Sequence, residues 1–89
     1  MKFEWDEAKR QSNIRRHGID FVDVQQVFEG YTITTEDARF DYGETCYLTL
    51  GMMRNLVILL VVHTDRDNEV IRIISARKAT RHEQKRYFS

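Results

Sequence analysis

Val70-Ile71-Arg72-Ile73-Ile74-Ser75-Ala76-Arg77, then Lys78-Ala79-Thr80-Arg81-His82-Glu83-Gln84-Lys85-Arg86-Tyr87-Phe88-Ser89, closes the chain and decides its fold. Residues 70–77 are β-branched and apolar with arginines interposed, which predicts a strand. Thr80 and Glu83 form a T-x-x-E pair, the sign of a capping box, so a short helix opens there. The segment carries six positive charges, on Arg72, Arg77, Lys78, Arg81, Lys85 and Arg86, against one acid, Glu83. A folded cationic surface of this density is a candidate anion site, and phosphate is the commonest anion a protein must hold.

Upstream, Leu56–Thr64 is a continuous apolar run and reads as a central strand buried on both faces. Thr45–Met53 alternates, with Cys46, Leu48, Leu50 and Met52 on one face. Tyr31–Thr35 is a further strand, and Glu36–Glu44 is a polar, acidic loop. Before Gly30 the period is helical. Asp6 caps a first helix that Gly18 ends, and Asp20 caps a second whose stripe is Phe21, Val24, Val27 and Phe28. Lys2–Trp5 is a short strand-like entry. The order predicts an α+β fold of two N-terminal helices, a three- to four-stranded antiparallel sheet and a short C-terminal helix. The helices should pack on one face of the sheet and leave the other partly open.

The 89 residues are expected to form one domain, 1–89. Formal net charge is zero, yet residues 31–69 hold three positive and seven negative charges, so the field is polarised. No signal peptide is evident, the run Leu56–Val62 is too short for a bilayer, and a lone Cys46 forms no intrachain disulfide. The cytoplasm is the expected location. His17, His63 and His82 lack metal-ligand spacing, and no phosphate-cradling glycine motif occurs. An enzyme built here is expected to need neither metal nor organic cofactor.

On a regular pleat Arg72, Ile74 and Ala76 face one way, and Ile71, Ile73, Ser75 and Arg77 the other. Arg72 either reaches an open face or pairs with an acid such as Asp41 or Glu44. Lys9, Arg10, Arg15 and Arg16 make the first helix cationic, taken alone a solvated face. His17 sits at that helix's C-terminal end. His63 ends the central strand, as a satisfied structural histidine or a side chain near a cleft. Tyr87 and Phe88 pin the last helix, or present a hydroxyl and a ring beside the basic patch.

Three motifs now stand together: Phe3-Glu4-Trp5-Asp6 with Lys9, Asn13 and His17-Gly18-Ile19; Arg39-Phe40-Asp41-Tyr42-Gly43-Glu44; and Arg72-Ile73-Ile74-Ser75-Ala76-Arg77 with Ala79-Thr80, Glu83 and Tyr87. In that order they resemble the BrnT toxin family across Phe3 to Phe88, with Arg16 where lysine is more usual. The resemblance implies a RelE-like fold and the toxin of a type II toxin–antitoxin pair, an endoribonuclease that cleaves RNA and arrests translation. It implies a ribbon-helix-helix antitoxin of the BrnA type, two toxins with an antitoxin dimer, and operator DNA contacted only through the antitoxin.

Metal-free RNA cleavage needs a base, an acid and cations on the phosphorane. Arg72 and Arg77 are the expected phosphate clamps, with Arg81 helping. His17, His63 and Glu44 are the acid–base candidates, Lys9 an electrostatic helper and Tyr87 a donor or stacking ring. Lys78, Arg81, Lys85 and Arg86 are expected to bind RNA. The competing expectation is a non-catalytic RNA-binding or partner-binding module with no acid–base pair.

Overall fold

The computed structural model describes residues 1–37, 45–66 and 69–89. Its strands are β1 (Lys2–Trp5), β2 (Thr32–Asp37), β3 (Cys46–Met52), β4 (Ile58–Arg66) and β5 (Val70–Lys78). They form one sheet in the order β1-β5-β4-β3-β2. The expected antiparallel sheet of three to four strands is therefore a five-stranded mixed sheet, because the entry segment docks as an edge strand parallel to β5. Phe3 and Trp5 drive that docking. Both pack on the core cluster that contains Ile71 and Ile73, their partners across the ladder.

The helices are α1 (Glu7–His17), α2 (Phe21–Val24) and α3 (Arg81–Phe88). Local chemistry sets their ends. The Asp6 carboxylate accepts from the amides of Ala8 and Lys9, and Gly18 closes α1 at φ 70°, a left-handed conformation that favours glycine. Asp20 caps α2 by accepting from the Val22 amide. The expected second helix is shorter than its apolar stripe: one α turn, then a 3₁₀ segment, Gln25–Glu29. That tighter segment lays Val27 against Gly51 of β3, where a Cβ would collide with the valine. Thr80 and Glu83 complete the capping box of α3.

Two apolar clusters lie on opposite faces of the sheet. One joins Ile19, Phe21, Val24 and Val27 to Leu59, Val61, Ile71, Ile73 and Ala76. The other joins Ala79 and Tyr87 to Leu50, Ile58 and Leu60, with Ile33, Leu48 and Met52 packed against it. Helices thus cover both faces, not one, since α3 folds back under β4, β3 and β2.

The pleat of β5 departs from simple alternation. Ser75 pairs with Val62 and Ile73 with His63, which leaves Ile74 as the extra residue of a bulge. Beyond it every side chain changes face. Ala76 therefore joins Ile71 and Ile73 in the buried cluster. Arg77 lies opposite Leu60, and Arg72 opposite Thr64, on the α3 side. The two arginines share a face, contrary to the regular pleat. Among the described residues no helix is long and apolar enough to cross a membrane.

Candidate active site

The parallel ladder with β1 ends at Trp5 and Ile73, so the outer edge of β5 is unpaired by strand beyond that point. α1 takes over the edge. Asn13, 4% exposed, does so with its amide. Its Nδ2 donates to the carbonyls of Ala76 and Ile19, both at 2.9 Å, and its Oδ1 accepts from the Ala76 amide at 3.1 Å. One side chain thereby imitates a neighbouring strand and ties the α1–α2 link to the sheet. Arg10 fixes the same link, donating to both Asp20 carboxylate oxygens at 2.8 Å.

This anchoring turns one stripe of α1 toward the bulge. Lys9, Ser12, Asn13, Arg16 and His17 line a groove of about 270 Å³ with Ile74 and Ser75. These α1 positions follow helical spacing, which puts them on a single face. Lys9, Arg16 and His17 are exposed. None has a carboxylate partner among the described residues, so the Lys9 and Arg16 charges are available to an anion. Ser12, on the same helix face, adds a neutral hydroxyl. A concave surface with two fixed cations and an imidazole suits a phosphodiester, provided the charges stay unneutralised.

The expected site residues divide. Lys9 and His17 meet in the groove. Arg72 lies on the α3 side of the sheet, with Nη1 3.6 Å from a Glu4 carboxylate oxygen. Its ladder continues through Thr64 and Cys46 to Asp37, and Thr64 Oγ1 is buried with no hydrogen-bond partner among the described residues. Arg77 is held by Glu83, its two terminal nitrogens 2.8 and 3.0 Å from the two carboxylate oxygens. Arg72 and Arg77 therefore do not form one clamp. Four residues of β4 separate their partners, about 13 Å at strand rise, and each faces an acid.

His63 is buried on the α1 side. Its Nε2 is 2.7 Å from Thr49 Oγ1 and its Nδ1 3.0 Å from Asp65 Oδ1, with Tyr47 stacked on the ring and Phe28 edge-on. Burial pushes its pKa down, against the pull of Asp65. Tyr87 is buried under α3, and its hydroxyl donates to the Tyr31 carbonyl at 2.8 Å. Arg81, Lys78, Lys85 and Arg86 are exposed and carry no ion pair among the described residues. Glu44 lies outside the described residues, as do Asp41 and Tyr42. Arg16, Ser12 and Ser75 complete the groove without having been singled out. Arg16 stands seven residues from Lys9, a spacing that marks a shared helix face. Among the described residues no three His, Cys, Asp or Glu side chains are grouped to hold a metal ion.

The Arg77–Glu83 pair has a pH signature. Hydrogen bonds from Arg77, opposed by burial and aided by the Thr80 amide, hold the Glu83 carboxyl down to about 2. An unfolded glutamate titrates near about 4.3, so this contribution is fully present above that pH and is lost as pH falls toward the folded value. Glu83→Gln should flatten the melting-temperature profile across that acid window. A variant that loses stability there as steeply as wild type would remove the assignment.

Comparison with known proteins places the fold. The family model described as "Ribonuclease toxin, BrnT, of type II toxin-antitoxin system" matches residues 5–83. The crystal structure of the Brucella abortus ribonuclease toxin BrnT is similar, at 31% identity and a TM-score of 0.68, covering 91% of this chain and 99% of that one. No curated protein matches. The matched span takes in α1, α2, strands β2 to β5 and the start of α3, and on that ground the chain belongs to the BrnT family of type II toxin–antitoxin ribonuclease toxins.

Proposed function

We propose that this chain is a metal-independent endoribonuclease whose reaction centre is the groove between α1 and the β5 bulge. The observation that carries it is the meeting of Lys9, Arg16 and His17 around one concavity, with no carboxylate on them among the described residues. In the reaction the RNA 2′-oxygen attacks the adjacent phosphorus and the 5′-oxygen leaves, giving a 2′,3′-cyclic phosphate. One proton leaves the 2′-hydroxyl and one joins the 5′-oxygen. His17 serves proton transfer. Lys9 and Arg16 stabilise the charge that builds on the phosphorane oxygens. Lys78, Arg81, Lys85 and Arg86 hold the flanking strand, and Arg77 orders the start of α3 through Glu83.

The protein acts as one domain, 1–89, in the cytoplasm, where cleavage arrests translation. A ribbon-helix-helix antitoxin of the BrnA type neutralises it in a complex of two toxins with an antitoxin dimer. The operator is touched through the antitoxin. The family membership and the polarised charge support this assembly.

Purified protein incubated with RNA in excess EDTA provides the test. Fragments ending in 2′,3′-cyclic phosphate are expected. RNA that is bound yet intact, or cut only when a divalent cation is restored, would contradict the proposal. Induction without the antitoxin should halt protein synthesis before RNA synthesis.

A further inference from the structure

We propose that Tyr31 and Phe88 form a stacking platform for unpaired bases, so that the ribonuclease takes single-stranded RNA laid along α3. This rests on the ribonuclease function proposed above and names its substrate class. Tyr31 and Phe88 are 63% and 66% exposed. Neither is loose. Both pack on the buried Tyr87 ring, each with a centroid separation of 5.3 Å, and the Tyr87 hydroxyl is bonded to the Tyr31 carbonyl. Two rings are thus pre-positioned with bare outer surfaces at the end of α3.

Charge decides what they meet. Lys85 and Arg86 lie in the last turn of α3, and Lys78 and Arg81 lie at its start. None is ion-paired among the described residues. The helix follows directly on β5, and its far end meets Tyr31 next to the start of β2. Cations therefore run along α3 from the end of β5 to the rings, about 14 Å across the three strand spacings from β5 to β2. A cationic track ending in exposed rings is the arrangement that holds single strands, since every base has a π face and every linkage a charge. An A-form duplex keeps its bases stacked and offers the rings nothing.

The test uses the whole chain and a short 2′-O-methylated RNA, which lacks the nucleophile and stays uncut. Its affinity is measured as a single strand and as a hairpin of the same composition. Tyr31→Ala and Phe88→Ala should each weaken single-strand binding about tenfold. Phe88→Trp should restore it, and hairpin affinity should not change. On cleavable RNA both alanine variants should raise KM and keep kcat. Wild-type binding that ignores both rings, or equal losses for strand and hairpin, would overturn the platform while leaving the ribonuclease proposal standing. Unchanged RNA affinity with weakened antitoxin binding would make the rings a protein-docking surface instead. Cleavage failure in EDTA would strike the ribonuclease proposal separately.

Discussion

Lys9→Ala and Arg16→Ala should each lower the rate of RNA cleavage by about 10²–10³, the usual cost of removing one group that stabilises transition-state charge. Both residues line the groove and are exposed. Neither holds an ion pair among the described residues, so the melting temperature should scarcely move. Together the changes should cost less than the product of the singles, because both act on the same phosphorane. Arg72→Ala should have the smaller effect. Its guanidinium already sits near Glu4 on the other side of the sheet. Single-turnover cleavage of one labelled RNA, with thermal melting as the folding control, checks all four proteins. Full activity in Lys9→Ala and Arg16→Ala would move the reaction away from α1.

Asn13→Ala should unfold much of the population at physiological temperature. It leaves the Ala76 amide and carbonyl and the Ile19 carbonyl without their partner, in a site 4% exposed. Each orphaned buried group costs about 1–3 kcal/mol, so the three together cost about 3–9 kcal/mol. A domain of this size has only about 5–15 kcal/mol to lose. Asn13→Asp should be no better tolerated, because a carboxylate cannot donate to the two carbonyls. Chemical denaturation measures both. An aspartate variant as stable as wild type would show that Asn13 fills space and does not stand in for a strand.

Much of the fold was legible because its signals are local. Asp6, Asp20, Gly18 and the Thr80–Glu83 box work within one helical turn, and each does in the structure what its residue type dictates. Leu48, Leu50 and Met52 fall in one apolar cluster, as alternation along β3 dictates. What escaped depends on distant partners. The pairing of Glu4 with Arg72 joins opposite ends of the chain, and no short window of sequence records it. The bulge at Ile74 is silent too, since Ile73 and Ile74 are alike in chemistry. One extra residue there reversed the assignment of Ala76 and Arg77.

The groove was half legible for the same reason. Lys9 and His17 stood out by type and place, and the structure brings them together. The concavity itself exists only because β1 stops at Trp5 and the bulge at Ile74 lies beside α1. The cations of β5 and α3 were conspicuous in the sequence, yet Glu83 takes Arg77 and Glu4 lies beside Arg72. Counting charges identified a basic end to the chain. Finding which charges remain unneutralised required the positions of the acids.

Titrating the folded, isotope-labelled chain with a 2′-O-methylated RNA, and following its backbone amides by NMR, tests where the phosphodiester sits. The largest shifts should fall on Lys9, Ser12, Asn13, Arg16, His17 and Ser75, with smaller ones along α3. Shifts confined to Glu4, Thr64, Arg72 and α3, with α1 silent, would place the RNA on the α3 face of the sheet alone and contradict the groove.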